Sequence, residues 1–145
     1  MKKNLIAILT CAILLVSMGA MVFANLESVT SVPFDFEIAS KNIGYTSAFV
    51  EKIGSAEAAY ADVDTNSEQI FWFVRAARYT AFIVVDATGT RISDEEVLHG
   101  AGDAYPSYYP SYQNYVGFVA LRANCAEENL SSPYDCEGTF YATAP

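Results

Sequence analysis

The sequence predicts an all-β fold, an antiparallel β-sandwich of the Ig-like or small-barrel type with one short helix, preceded by an N-terminal signal helix. Three observations lead to this prediction. Beyond the leader the chain holds about six short apolar segments, turn-forming residues separate them, and aromatic residues make up 14% of the sequence. Short apolar or alternating segments between frequent turns are typical of antiparallel sheets.

The first 24 residues have the layout of a secretory signal peptide. Two lysines give a positive start, residues 5–16 are almost wholly apolar, and a small-x-small sequence ends at Ala24. We therefore expect cleavage after Ala24 and secretion of a single domain, residues 25–145. An uncleaved leader is the alternative, because residues 5–24 are long enough to span a hydrocarbon core of about 30 Å and would anchor the protein in the membrane.

Five segments in the first half of the domain are predicted as strands. Residues 32–38 alternate between apolar and polar side chains, which indicates a half-buried strand. Residues 45–53 predict a second strand, and the alanine-rich residues 55–64 fit either helix or strand, with strand preferred because their neighbours are β. Residues 70–74, which include three consecutive aromatics, and residues 79–85 predict central strands buried on both faces.

One turn and one helix are predicted next along the chain. Asp86-Ala-Thr-Gly89 has the composition of a turn in which glycine supplies a positive φ. Ser93 and Glu96 fit a capping box, with serine at the N-cap and glutamate three residues later, and Gly100 would end the helix. The sequence therefore predicts a helix of about two turns that begins at Ser93.

The C-terminal segment, residues 115–144, predicts a β-hairpin closed by a disulfide. Residues 115–121 and 138–142 would form its two strands around a polar loop. Cys125 and Cys136 are the two cysteines that remain after cleavage of the leader, and thiols pair in an oxidising compartment. A disulfide that closes this loop would contribute about 3 kcal/mol to stability by the chain-entropy estimate.

A tandem repeat of Tyr-Pro-Ser-Tyr lies directly before this hairpin. Proline pre-orders an extended backbone and tyrosine presents an amphipathic face, which suits the capture of a protein surface or a carbohydrate. The other interpretation is a loop whose tyrosines pack over the sandwich. The candidate partner-binding residues are Tyr105, Tyr108, Tyr109, Tyr112 and Tyr115.

The charge of the secreted domain excludes one class of partner. After cleavage six basic residues remain against 17 acidic ones, a net charge of −11. Such a domain repels phosphate backbones, so no nucleic acid is expected as a ligand. Attraction to an anionic membrane surface is disfavoured for the same reason, and we expect no membrane contact after signal cleavage. The expected partner is an unidentified protein or a cell-wall carbohydrate, and the oligomeric state is left open.

One calcium site is suggested by the sequence. Oxygen ligands, which a hard cation prefers, stand at alternate positions in Asp62, Asp64, Asn66 and Glu68. The EF-hand pattern then fails, because Ser67 replaces the required glycine and Phe73 stands at the twelfth position instead of glutamate. A solvated acidic turn is the other interpretation, and no further cofactor is expected.

Catalytic chemistry finds little support in the sequence. His99 is the only histidine, and a Ser-His-acid triad is formally available to it, but no Gly-x-Ser-x-Gly elbow occurs. A paired cysteine is not a thiol nucleophile, and the carboxylates show no spacing typical of a glycosidase pair. We therefore expect that the protein is not an enzyme.

Two segments beside the cysteines carry a resemblance. Val119-Ala-Leu-Arg-Ala-Asn124 and Glu137-Gly-Thr-Phe140 resemble the closing part of small exported β-rich proteins of Gram-positive bacteria of uncharacterised function, which pair a Leu-Arg-Ala strand with a Gly-Thr/Ser-aromatic strand. The layout of leader and small β-domain is also similar to that of exported lactococcin-type bacteriocin precursors. The resemblance carries over no catalytic residue.

Three functions are considered on these grounds. The first is an exported, disulfide-stapled, non-enzymatic β-domain that acts by binding at the cell envelope or in the medium. The alternative is a secreted bacteriocin-like antimicrobial effector, and the third is a small secreted hydrolase.

Overall fold

The computed structural model describes residues 30–127, 130 and 132–145. The predicted signal helix and its cleavage site fall within residues 1–29, outside the described residues. Within the part of the chain that is described, no helix combines the length and the apolar character needed to cross a membrane.

Two antiparallel sheets form a sandwich, which confirms the predicted all-β class. Sheet 1 has the spatial order β1 (Ser31–Ile38), β10 (Tyr134–Tyr141), β4 (Tyr60–Phe71) and β5 (Val74–Ala77), and β8 (Gly102–Ala104) also pairs with β4. Sheet 2 has the order β2 (Tyr45–Thr46), β9 (Gly117–Cys125), β6 (Tyr79–Asp86) and β7 (Glu96–His99), and β3 (Val50–Lys52) also pairs with β9. The only helix in the described residues is a 3₁₀ turn, Pro110–Tyr112.

The core lies between the two sheets and follows the alternation of the strands. Phe34, Phe36 and Ile38 of β1 point inwards and are buried, as the sequence predicts. The rings of Phe34 and Phe36 stack with centroids 5.1 Å apart, and Phe34 meets Phe82 of sheet 2 at 6.3 Å. Other buried members of this cluster include Val50, Val63, Val84, Ile92, Leu121 and Phe140.

The predicted central strand at residues 79–85 is confirmed as β6. Thr80, Phe82 and Val84 of this strand are buried between the sheets, and Ile83 and Val85 are buried on the opposite face of sheet 2. Burial on both faces explains why this segment is apolar throughout.

The turn that follows β6 is also confirmed. Gly89 has a φ of 82°, and its N–H donates to the Asp86 carbonyl at 2.9 Å. The Asp86 carboxylate accepts hydrogen bonds from the Thr88 hydroxyl and from the Thr88 and Thr90 amides, and these bonds lower the pKa of Asp86. The charged carboxylate therefore holds the turn together.

The predicted helix that begins at Ser93 is wrong, because residues Glu96–His99 form β7 at the edge of sheet 2. The buried hydroxyl of Ser93 accepts a hydrogen bond from the Val84 amide at 2.7 Å and donates to the Asp94 carbonyl at 2.9 Å. A hydroxyl used in this way to bind β6 is not free to cap a helix.

The predicted C-terminal hairpin is also wrong. Strands β9 and β10 are present, but β9 pairs with β6 in sheet 2 and β10 pairs with β1 and β4 in sheet 1. The segment between them therefore passes from one sheet to the other. Both strands are buried on their inner faces, and each lies in the middle of its own sheet, β9 between β6 and the short strands β2 and β3, and β10 between β1 and β4.

The predicted disulfide between Cys125 and Cys136 is not formed, and both residues are buried free thiols. The prediction assumed a loop closed within one hairpin, whereas the two cysteines lie on different sheets. The sandwich is therefore held by packing and hydrogen bonds around these thiols rather than by a covalent link.

The predicted strand at residues 45–53 is divided into β2 and β3. Ser47 lies between them, where its amide donates to the Leu121 carbonyl at 2.9 Å and its hydroxyl accepts from the Leu121 amide at 3.1 Å. A side chain thus replaces one backbone partner of β9, and the edge of sheet 2 is interrupted at this residue.

Candidate functional site

The most unusual surface of the molecule is a hairpin tip made of five consecutive apolar residues. The exposed fractions are 51% for Ile70, 63% for Phe71, 86% for Trp72, 71% for Phe73 and 37% for Val74. The sequence predicts a buried central strand here, and the structure corrects this: β4 ends at Phe71, and the chain turns back into β5 at Val74. We call residues 70–74 the aromatic tip.

The aromatic tip lies at the end of a projecting two-stranded ribbon. Strand β4 pairs with β10 only as far as Ser67, and beyond this residue it pairs with β5 alone. The four remaining residues of β4 extend the ribbon by about 14 Å, at roughly 3.4 Å per residue. The geometry therefore places the apolar side chains away from the core of the sandwich.

The turn itself lacks the usual turn residues. Phe71 pairs with Val74, so Trp72 and Phe73 form a two-residue loop, and their rings meet edge to face with centroids 4.8 Å apart. Tight hairpin loops commonly contain glycine or asparagine with positive φ, but no described residue other than glycine has a positive φ. An irregularity in pairing between Gln69 and Phe71 accompanies this turn. Sequence reasoning missed the hairpin because this turn has no compositional signature.

An ion-pair cluster holds the base of the ribbon. The guanidinium of Arg78 contacts the carboxylates of Glu68 in β4 and Glu127 after β9, the latter at 3.0 Å. These three side chains are only 14–18% exposed, so the contacts are less screened than those of surface pairs. The other Glu127 oxygen accepts a hydrogen bond from the Tyr79 amide at 3.2 Å. The ribbon therefore leaves the sandwich from a fixed base.

The outer face of sheet 1 contrasts with the aromatic tip because it is strongly acidic. Asp35 lies opposite Glu137, and Glu37 lies opposite Asp135, in the register of β1 and β10. Like charges at directly opposed positions repel one another and lower the stability of the sheet. By contrast, no acidic residue occurs between Glu68 and Asp86 in the sequence. Charge and apolar surface are thus separated within one sheet.

A cleft of about 370 Å³ opens beside the base of the ribbon. It exists because β5 and β8 pair with the same edge of β4, at residues 67–71 and 61–63, and leave residues 64–66 uncovered between them. Its charged lining is Asp64, Glu137 and Arg75. In the described residues, no group of three or more histidine, cysteine or acidic side chains is placed to hold a metal ion.

The four candidate calcium ligands do not meet in one site. Asp62 and Asp64 are exposed on the outer face of β4, whereas Asn66 is buried and Glu68 pairs with Arg78. The Asn66 amide group donates to the backbone carbonyls of Arg78 and Gly100 at 3.0 and 3.3 Å. Residues at alternate positions of a regular strand share one face, but the register between β4 and β10 shifts at Asp64, so Asn66 is buried while Asp62 and Asp64 stay exposed. The segment is a strand, so it is neither a calcium loop nor an acidic turn.

The tyrosine tandem packs over the sandwich instead of projecting from it. Tyr108 is 3% exposed, and its hydroxyl donates to the Ala142 carbonyl at 2.8 Å. Tyr109 is half-buried, and the half-buried rings of Tyr112 and Tyr115 lie 5.7 Å apart, packed against the core. Of the five candidate binding tyrosines, Tyr105 alone is well exposed, at 44%.

Tyr105 belongs to a ladder of three tyrosines on sheet 1. The ring of Tyr60 stacks on Tyr105 at 5.2 Å and on Tyr141 at 5.4 Å. The Tyr60 hydroxyl donates to the Asp103 carboxylate at 2.9 Å, which raises the pKa of Tyr60 to about 12. The rings cover one another's faces, so the ladder stabilises the junction of β4, β8 and β10 and leaves no open aromatic face between the rings.

Replacing Tyr108 with phenylalanine is expected to lower the free energy of unfolding by about 1 kcal/mol, because the buried Ala142 carbonyl loses its hydrogen-bond donor. Urea unfolding followed by circular dichroism measures this change. Tyr109→Phe is the matched control and is expected to be neutral within about 0.5 kcal/mol. Equal stability of the Tyr108→Phe chain and the wild type would show that the hydrogen bond contributes nothing.

The two cysteines adjoin a buried polar cluster between the sheets. The Thr80 hydroxyl donates to the Asn66 side-chain oxygen at 2.8 Å and shares a 2.9 Å hydrogen bond with the Tyr134 hydroxyl. Burial raises the pKa of the Cys136 thiol to about 12 and also raises the pKa of Tyr134. At neutral pH Cys136 is therefore a protonated thiol and not a nucleophile.

These buried groups predict a loss of stability at alkaline pH. The pKa values of Cys136, Tyr134 and Tyr108 are raised in the folded state, so their contribution is complete below pH 9.0, the ordinary value for cysteine, and is lost as pH rises towards 12. Burial lowers the pKa of Lys52, so this group adds stability as pH rises towards 10.5, the ordinary value for lysine. It is one group, whereas Cys136, Tyr134 and Tyr108 all lose their contribution as pH rises. The urea midpoint, measured with a reductant present, should be constant from pH 7 to 9 and fall above it. Tyr134→Phe should make the fall shallower, and a midpoint independent of pH up to 11 would contradict the assignment.

His99, the candidate histidine of a Ser-His-acid triad, lies at the edge of sheet 2. It lies in β7, where its ring stacks on Tyr79 with centroids 4.1 Å apart. The two residues face each other across the β6–β7 pair. A cross-strand aromatic contact accounts for its position, and within the described residues no hydrogen bond joins it to a serine or a carboxylate.

Comparisons with protein families, with curated proteins and with solved structures find no significant match to this chain. The resemblance to exported Gram-positive proteins therefore stays a prediction. The candidate site rests on the chain's own geometry, and its strongest feature is the aromatic tip.

Proposed function

We propose that this protein is an exported, non-enzymatic binding domain that acts at the cell envelope or in the medium and engages its target through the aromatic tip. The observation that supports this proposal is the exposure of five consecutive apolar residues, led by Trp72 at 86%. Contiguous apolar surface on a soluble domain marks an interaction site.

The energetics favour a binding role for these residues over a structural one. Burying one large apolar side chain contributes about 1.5–3 kcal/mol, and the exposed side chains of the tip leave most of this free energy unused in the isolated domain. Tryptophan and other aromatics commonly dominate binding energy when they enter a partner. The ion pairs of Arg78 hold the ribbon in place before binding, so less ordering is needed when the target is met.

The acidic outer face of sheet 1 supports the same role. A net charge of −11 after cleavage keeps the domain soluble despite its exposed aromatics. Because like charges repel, the acidic face also opposes unspecific association of two copies through sheet 1. The aromatic tip, by contrast, lies in a segment without acidic residues from Gln69 to Val85.

Binding to an envelope fraction of the producing cells tests this proposal. The hairpin variant carries Phe71→Ser, Trp72→Ser and Phe73→Ser together. The matched control carries Phe49→Ser, Val116→Ser and Phe118→Ser, which remove three other exposed apolar side chains from sheet 2 and its borders. We expect the wild type and the control to bind and the hairpin variant to bind at least tenfold more weakly.

Thermal unfolding shows whether each variant keeps the fold, which is expected because all six residues are exposed. Equal binding by the hairpin variant and the wild type would remove the aromatic tip as the site. Loss of binding in the control alone would transfer the site to sheet 2.

A further inference from the structure

We infer that the target of the aromatic tip is the interfacial region of a zwitterionic lipid bilayer. This inference rests on the proposed function and specifies what the tip enters. It departs from the sequence-based expectation of no membrane contact, because that expectation followed from charge alone, whereas the tip is apolar.

Apolar side chains occupy both faces of the ribbon at its tip. Successive residues of a strand point to opposite faces, so a partner that covers one face needs apolar side chains only at alternate positions. Here Ile70, Phe71, Trp72, Phe73 and Val74 are all apolar and all exposed, so both faces of the ribbon are apolar. A medium that surrounds the tip on every side satisfies this pattern, and a one-sided groove does not.

The side-chain types of the tip and the length of the ribbon also fit the interfacial region of a bilayer. Tryptophan is enriched at the boundary between headgroups and acyl chains, where amphipathic helices bury their apolar face by about 5–10 Å, and we expect a similar depth for the tip. The ribbon of about 14 Å is long enough to reach that depth while the sandwich stays in water. The outer edges of the two-stranded ribbon carry unpaired backbone groups, which limits it to the interface, because unpaired groups are costly in the hydrocarbon core.

The charge of the domain selects the kind of bilayer. The domain has a net charge of −11 after cleavage, so an anionic surface repels it. Near the tip, however, no acidic residue occurs between Glu68 and Asp86, and Arg75 and Arg78 are the nearest cations. Arg78 is held by Glu68 and Glu127, and the half-exposed Arg75 lies 3.8 Å from Asp135, so three carboxylates offset the two positive charges that would attract lipid phosphates. Binding should therefore favour phosphatidylcholine over anionic lipid.

The experiment uses the fluorescence of Trp72, which is the single tryptophan of the chain. The full chain is titrated with phosphatidylcholine vesicles, and the emission of Trp72 is expected to shift to shorter wavelength and to be protected from acrylamide. Phosphatidylcholine brominated on its acyl chains is expected to quench the emission. Contacts made by the leader alone would leave the environment of Trp72 unchanged, so this readout reports on the tip.

Variants that keep Trp72 measure the contribution of its neighbours. The combined Phe71→Ser and Phe73→Ser chain is expected to need at least tenfold more lipid for half of the spectral shift. The matched control with Val116→Ser and Phe118→Ser removes exposed apolar side chains on sheet 2 and is expected to titrate like the wild type.

Three outcomes would overturn the inference. The first is an unchanged Trp72 emission with phosphatidylcholine vesicles, and the second is a shift seen only with vesicles of anionic lipid. The third is that the combined Phe71→Ser and Phe73→Ser chain and the wild type need the same amount of lipid for half of the spectral shift. If phosphatidylcholine vesicles leave the Trp72 emission unchanged but binding to a delipidated envelope fraction still depends on the tip, the target is a protein or carbohydrate. The proposed function then stands without the lipid inference. If tip-dependent binding to the envelope is also lost, the proposed function fails too.

Discussion

Replacing Gly138 with alanine is expected to lower the free energy of unfolding by about 3 kcal/mol. Gly138 lies in β10 at the point where the register with β4 shifts. A Cβ at this position would overlap the backbone carbonyl oxygen of Asp62 and would lie 2.9 Å from the Cζ atom of Phe34. Because Asp62 and Phe34 belong to the strands on either side of β10, neither can move away without loosening sheet 1.

Urea unfolding of the Gly138→Ala chain, followed by circular dichroism, measures this loss. Gly44→Ala is the matched control, because a Cβ at Gly44 would meet only side-chain atoms of Arg122 and Asn124, which can rotate away. The control is expected to lose less than about 1 kcal/mol. If the two variants are equally stable, the close approach of β4 and β10 does not constrain the fold.

Replacing Lys52 with methionine is expected to lower the free energy of unfolding by about 2–3 kcal/mol. The fully buried ammonium group donates to the carbonyls of Gly54, Gln113 and Tyr115 at 2.9, 2.7 and 3.1 Å, and lies 5.0 Å from the centroid of the Tyr108 ring. Methionine has a similar length but no donor, so it fills the space and leaves three carbonyls without this partner. The loss is reduced because the cost of burying a charge, which lowers the pKa of Lys52, also disappears.

The matched control is Lys41→Met, since Lys41 is exposed and is expected to change stability by less than about 0.5 kcal/mol. Hydrogen exchange provides a second readout. The amide of Tyr115, which donates to the Tyr112 carbonyl, should exchange faster in the Lys52→Met chain because the loop loses its attachment to β3. An unchanged exchange rate together with unchanged stability would show that the three carbonyls find other donors.

Lys52 also explains why the tyrosine loop is not a projecting binding surface. Its hydrogen bonds to Gln113 and Tyr115 hold the end of the loop against sheet 2, while Tyr108 is fixed at the other side by the Ala142 carbonyl. For this reason we propose the aromatic tip, and not the tyrosine loop, as the binding surface. Both segments are rich in aromatics, so composition alone does not distinguish them.

The strands that bury one or both faces were predictable because their patterns depend on local periodicity. Residues 32–38 alternate because one face of β1 packs on the core, and residues 79–85 are apolar because both faces of β6 are covered. The turn at Asp86 and Gly89 was predictable from its own residues. In these three segments the local sequence pattern was enough to predict the secondary structure.

The aromatic tip was not predictable because exposure is a property of the assembled sheet. An apolar segment such as residues 70–74 is buried when strands flank it and exposed when it extends past them, and the sequence of the segment is the same in either case. Here β10 begins at Tyr134 and leaves the end of β4 paired with β5 alone. The candidate site is therefore decided by where a strand more than 60 residues away begins.

The sequence by itself determined that the chain forms an antiparallel all-β domain with a strongly acidic surface, because alternation, turn residues and net charge are local or additive properties. Tertiary structure alone decided which strands share a sheet, that Cys125 and Cys136 are free, and that the aromatic tip projects. Each of these depends on contacts between residues far apart in the chain, where several pairings satisfy the same local patterns and packing of the whole core selects one.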